Sequence, residues 1–149
     1  MAEKVSVDDL MELWRAGVVQ LPSAGAQFAL ASVALHRTGR YDTMFATAEG
    51  PSPLAAAWTL LRDTAQDRVL NITAERCVKA GEAIAAIADA YAATDQLNAA
   101  ELRKYAQDKT DILTGAHPGY KPPAVPDPPH SGDPHPEDGG ENPHPEMGR

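Results

Sequence analysis

Tyr91 and Asp95 stand four residues apart. On a helix that spacing sets a phenol and a carboxylate side by side on one face, where a receptor can read them together. Few other residues could do chemistry. His36, beside Arg37, is the only histidine before residue 115, and His117, His130, His135 and His144 follow it. The last two fall in a repeated Pro-His-Pro-Glu at Pro134–Glu137 and Pro143–Glu146. Imidazoles take divalent transition metals, but the prolines hinder convergence of ligands on one ion, so the repeat reads as a solvating spacer or docking segment and no metal site is expected. His36 reads as a cation favoured at a helix C-terminus. Cys77 is the single cysteine, which excludes an intramolecular disulfide and reads as a small buried hydrophobe. Asp63 and Asp67, with Arg62 and Arg68, have the pattern of a solvated helix face. There is no glycine-rich phosphate loop, and no serine or cysteine has a base at a motif spacing. An enzyme is not expected, and neither is a cofactor.

The element that must carry Tyr91 and Asp95 is the stretch from Ser52 to Asp111. Leu54, Trp58, Leu61, Val69, Ile72, Ile84, Ile87, Tyr91 and Leu102 recur there in steps of three, four or their sums, the signature of an apolar helical stripe. Ser52 supplies an N-cap, and Pro53 fits the first helical position. Sixteen alanines between Pro53 and Lys109 favour helix while burying little area each. The stretch reads as one long helix, about 85 Å if unbroken to Lys109, or as two helices in series. Asn71, Thr73 and Gly81 place a bend or stutter near 71 to 81. Gly115 and Pro118 close the helical region.

Upstream, Ser6 caps a helix with Asp9 three places on. Leu10, Leu13, Trp14 and Val18 share one face, and Pro22 predicts a kink between Gly17 and Pro22. Phe28, Ala31, Ser32 and Leu35 form a second stripe ending near Thr38 and Gly39. This arm is the antiparallel partner of the long helix, joined to it by a connection from Gly39 to Pro51 in which Tyr41, Met44 and Phe45 suit a short helical turn. The arm covers only part of the longer helix. Either that helix folds back near Gly81, or part of its stripe is left for another chain. Trp14, Trp58, Leu61, Val69, Ile84 and Ile87 are the candidate partner-interface residues.

Composition changes near Gly115. Ten of the thirteen prolines and four of the five histidines lie from there on, without Leu, Ile, Phe or Trp. Such a segment buries too little apolar surface to offset its ordering entropy. The expectation is an all-α protein: an elongated antiparallel helical hairpin or small bundle with one long helix over residues 1–114, then a disordered or partly polyproline-like tail over 115–149. The net charge is −8, with no basic patch, so nucleic acid is not an expected partner. No long apolar run and no basic-then-apolar leader are seen, so neither membrane insertion nor signal-peptide export is expected.

The tryptophan, the alanine-rich amphipathic helix and the closing Tyr91-Ala92-Ala93-Thr94-Asp95 resemble the helical-hairpin substrates of ESX, or type VII, secretion systems, above all the EspC-like branch of the Trp-X-Gly superfamily in actinobacteria. The resemblance covers roughly Pro53 to Leu102. It implies a protein made in the cytoplasm and secreted without a signal peptide, with Tyr91 and Asp95 as the signal directing it to the type VII secretion ATPase. Trp14 is followed by Arg15-Ala16-Gly17 and Trp58 by Thr59-Leu60, so no Trp-X-Gly turn is present. Members with the tyrosine signal can take that turn from a partner, which implies a homo- or heterodimer with a related hairpin. The residues also suit a different class, a cytoplasmic helical adaptor, chaperone or antitoxin-like partner that holds another polypeptide on the same stripe.

Overall fold

Ser6 begins the first helix by accepting a hydrogen bond from the Asp9 N–H through its hydroxyl, while the Asp9 carboxylate accepts from the Ser6 N–H. This reciprocal cap satisfies donors that the first turn leaves unpaired. The structure, a computed structural model, describes residues 6–47, 50–94, 97–117 and 119–134. The described residues form three helical rods. The first joins α1 (Val7–Arg15) to α2 (Leu21–Arg37) through a π-helical turn, Ala16–Gln20. Its wider winding falls in the expected interval, just before Pro22, whose ring cannot follow a regular turn without meeting a carbonyl. A 3₁₀ segment, Thr38–Phe45, and a two-residue antiparallel pairing of Ala46–Thr47 with Gly50–Pro51 make the connection.

The second rod runs from Pro53 to Thr94 without interruption, about 60 Å at 1.5 Å per residue. It comprises α3 (Pro53–Thr64), a π-helical stretch (Ala65–Asn71) and α4 (Ile72–Thr94), with the Ser52 hydroxyl capping the Ala55 N–H at 3.1 Å. The stutter expected near 71 to 81 is corrected: the irregular winding lies upstream, at Ala65–Asn71, and Ile72–Thr94 is regular α-helix through Gly81. Gly81 is no reversal point. The chain reverses after Thr94, and Asn98 starts the third rod, α5 (Ala99–Leu113), through a capping box with Glu101. Gly115 closes α5 at φ +74°, the left-handed conformation that costs glycine least.

The first two rods lie antiparallel, Gly17 opposite Gly81 and Gly25 opposite Ala74. They meet through small residues. Gly25, Ala26, Ala29 and Ser32 of α2 and Ala74, Gly81, Ala88 and Ala92 of α4 are buried. The expected α2 face is therefore corrected: Ser32 points inward, but Phe28 and Ala31 are exposed. At one end α5 folds over the pair, and Leu97, Tyr105 and Ile112 join Val7, Leu10, Met11 and Trp14 in the main core. Here large side chains replace small ones, because three helices leave a wider space than two.

At the other end there is no third helix among the described residues. Residues 116–117 and 119–134 form no helix or strand, in keeping with their composition, yet Tyr120, Pro129, Ser131 and Pro134 lie against the first two rods. Tyr120 packs on the core beneath Arg15, whose guanidinium carbon lies 4.8 Å from the ring centroid, and Pro134 reaches His36 at the far end of α2. The expectation of disorder for residues 135–149 falls outside the described residues. The helix Val7–Arg37 is long and apolar enough by length and composition alone to cross a membrane, since residues 16–35 carry no charge. Alanine and glycine hide that property from a search for bulky apolar runs. Here one face of the helix is taken by the long rod.

Candidate functional site

The residues the long rod buries fully are alanine, glycine and polar or charged side chains, while several of its large apolar ones stand exposed. Leu54, Leu61, Val69, Ile87 and Tyr91 are all exposed, Leu61 by 64% and Tyr91 by 52%. Counting ~100° per residue, and subtracting about one residue for the wider π stretch, places these five within roughly 40° of one line. Without that stretch Tyr91 would stand roughly a quarter turn from Leu54. Ala65, Ala80 and half-buried Ile84 fill the same line. The result is one apolar seam along most of the rod, beside the face that packs on α2. The stripe read from the sequence holds in part: Ile72 is half-buried off this line, and Leu102 lies on α5, beyond the reversal. The seam does not face the chain's own arm.

The candidate interface residues divide accordingly. Leu61, Val69 and Ile87 lie on the seam, and Ile84 borders it. Trp58 is half-buried against Phe45 of the connection, ring centroids 6.3 Å apart. Trp14 is corrected: 3% exposed, it belongs to the chain's own core, with the Lys109 ammonium 5.2 Å from its ring centroid. An indole offers the largest area available to the junction of α1, α4 and α5, and that junction takes it. Of the tyrosine–acid pair, Tyr91 sits on the last turn of α4, open to solvent, and Asp95 lies outside the described residues.

A second feature is polar. Gln66 is fully buried and Asn71 nearly so, and both donate to one carbonyl, Pro129 O, at 2.8 and 3.0 Å. His36, also buried, meets Pro134 O through Nε2 at 3.3 Å and the Gln66 amide nitrogen through Nδ1 at 3.2 Å. Since a carbonyl only accepts, Nε2 carries the proton and Nδ1 accepts from Gln66. Asp67 accepts from the Ser131 hydroxyl at 2.5 Å and the Ser131 N–H at 3.1 Å, with His130 Nδ1 3.7 Å away. Burial opposes the charge on Asp67, but the Ser131 contacts and His130 outweigh it and hold the carboxyl below its usual range. The solvated acidic face expected at 62–68 is thus corrected. Arg62 is buried beside Asp63 at 2.9 Å, and Asp67 is spent on the tail. His36, read as a cation at a helix end, instead joins the buried cluster.

No family model, curated protein or solved structure matches this chain. Its function must be argued from the two surfaces themselves. Among the described residues no three His, Cys, Asp or Glu side chains gather where they could hold a metal ion. His117 stacks beside Tyr120 at 5.1 Å while His130 turns to Asp67, and His135 and His144 lie outside the described residues. Cys77 is half-buried near Gly25. Asn98 and Glu101, which define where the long helix must end, went unread in the sequence although Asn-X-X-Glu is a helix-start signal. Gln66 and Asn71 carried no such signal, since nothing local announces that a neutral amide will meet a carbonyl 63 or 58 residues away.

Proposed function

We propose that this chain is a non-enzymatic helical-hairpin protein that acts by helix–helix pairing along its outer seam and is exported by a type VII secretion system. The observation that carries the reading is the exposed seam from Leu54 to Tyr91. A hairpin that closes itself with alanine and glycine while leaving leucine, isoleucine and valine outside is suited to pairing with another hairpin. Burial of each such side chain contributes about 1.5–3 kcal/mol. In this proposal the partner is a related hairpin or a second copy, and the complex is recognised by the secretion ATPase through Tyr91 and Asp95. Tyr91 supports it by its position, solvent-open on the final turn of α4 and continuous with the pairing surface.

The test is secretion of the tagged chain from an ESX-bearing host, compared with Tyr91→Ala. The expected result is native protein in the culture filtrate and the variant retained, at equal intracellular level and helicity. Retention of both forms, with a companion protein bound along the seam, would replace export with the cytoplasmic adaptor reading.

A further inference from the structure

We infer that the groove between α2 and the π-helical stretch is a binding site for proline-rich segments in polyproline II-like conformation, and that residues 126–134 are its resident, displaceable occupant. The argument begins with matched chemistry. A proline lacks an N–H, so a proline-rich strand offers its receptor mainly carbonyls. The groove answers with donors: Gln66 and Asn71 converge on Pro129 O, and His36 donates to Pro134 O. The acceptor Asp67 takes the Ser131 hydroxyl and N–H, with His130 beside it.

Burying Gln66 and Asn71 is costly unless they are paired. With the segment gone, Gln66 would keep His36 Nδ1 and Asn71 would keep Asp67 Oδ1, but each would lose the carbonyl on which the two converge. Among the described residues the buried amide oxygens Gln66 Oε1 and Asn71 Oδ1 meet no donor, so the two amides engage the segment through their nitrogens.

Recognition mainly through carbonyls, with the side chains of Ser131 and His130 at Asp67, reads backbone shape more than sequence. The same contacts are open to any segment with two prolines and a serine in this register, on this chain or another. The resident segment also underfills the site. A cavity of about 560 Å³ remains beside it, lined by Ile72, Val78, Lys79 and, on the segment itself, Pro126 and Asp127. An apolar side chain in place of exposed Asp127, which lines this cavity, would add apolar area facing half-buried Ile72 and Val78 across it. The ligand class is therefore a proline-rich peptide with an apolar residue two places before the clamped carbonyl. This inference uses the inner groove and is independent of the outer seam.

The test uses the full chain and a fluorescein-labelled peptide of residues 124–134. In the native chain the tethered segment competes at an effective concentration of roughly millimolar, so the peptide binds weakly. Ser131→Asp in the full chain sets a carboxylate against Asp67, frees the resident segment and leaves the groove unaltered. Anisotropy titrations should show at least ~10-fold tighter binding to this variant than to the native chain, in line with relief of that competition. Adding Gln66→Glu, which turns the clamp from donor to acceptor in nearly the same shape, should abolish binding, and a peptide with Asp127→Leu should bind more tightly than the native peptide. Equal affinity for native and Ser131→Asp chains, no binding to either, or binding that survives Gln66→Glu or replacement of every peptide proline by alanine would overturn the proposal. Release is read separately from the heteronuclear NOE of the Gly132 amide, and a Gly132 equally rigid in both chains would overturn it as well.

Discussion

Gly17 and Gly81 touch backbone to backbone where the two arms cross: a Cβ added at Gly17 would lie 2.6 Å from the Gly81 carbonyl oxygen and 2.8 Å from the Ala85 nitrogen. Alanine normally stabilises a mid-helix glycine position by about 1 kcal/mol. Here the sign reverses, because the obstructing atoms are main chain and cannot rotate away. Gly17→Ala should destabilise the chain by about 1–3 kcal/mol, the usual range for overpacking. Urea denaturation reads this directly, and a gain in stability would mean that the arms do not cross at these residues.

Trp14 and Leu61 should separate folding from pairing. Trp14→Ala removes an indole from the core and should cost about 3–5 kcal/mol. Leu61→Asp lies on the exposed seam and should change the unfolding free energy by no more than about 0.5 kcal/mol. In sedimentation, the same Leu61 change should weaken association with a second copy or a hairpin partner. If Leu61→Asp unfolds the chain, the seam is part of its core.

Alkaline stability should depend on Tyr105. Burial, then the hydrogen bond from its hydroxyl to Asp89 at 3.0 Å, raise the phenol above its ordinary value of 10.0. The unfolded chain therefore loses this proton first as pH rises. The contribution of the group is complete below about pH 10 and declines above it, toward the raised folded value. Tyr105→Phe should lower stability at pH 8 by about 1 kcal/mol, one buried hydrogen bond, while flattening the fall above pH 10. Matched urea titrations at pH 8 and about 10.5 compare the two chains, and parallel slopes would sink the assignment.

At the acid end the corresponding group is Asp67. Its folded value lies below the model-compound 3.8, so its hold on Ser131 is complete above that pH and is lost as pH falls through the folded value. Protease sensitivity between Tyr120 and Pro134 should rise below about pH 3.8 in the native chain. Asp67→Asn should show the raised sensitivity already at neutral pH. Protection unchanged in that variant would remove Asp67 from the tail contact.

Much of the helical framework was legible in local signals. Ser6 with Asp9, Ser52 with Pro53, the interruption before Pro22 and the stop at Gly115 each act within a few residues, and each stands where it was read. The direction of the stripe was not legible. Periodicity reports that Leu54, Leu61, Val69, Ile87 and Tyr91 share a side, but not whether that side meets the chain's own arm. Gly17 and Gly25 decide it, since a helix that can bring its backbone against another's gains close packing from alanine and has no room for leucine there. The groove was hidden for a different reason. Asp67 looks like any solvated acid until Ser131 is folded back onto it, a contact that depends on α5 ending where it does.

Each π turn holds one residue more than a regular helix needs over the same length. A single deletion in Ala65–Asn71 could therefore be absorbed by reverting to ordinary winding, leaving Gly81 opposite Gly17 and Tyr91 in line with Leu54. The same deletion in Ile72–Thr94 would swing everything after it by about 100°. The long rod thus has one interval in which its length is negotiable, and descendants of this chain can shorten there by a residue without exchanging their inner and outer sides.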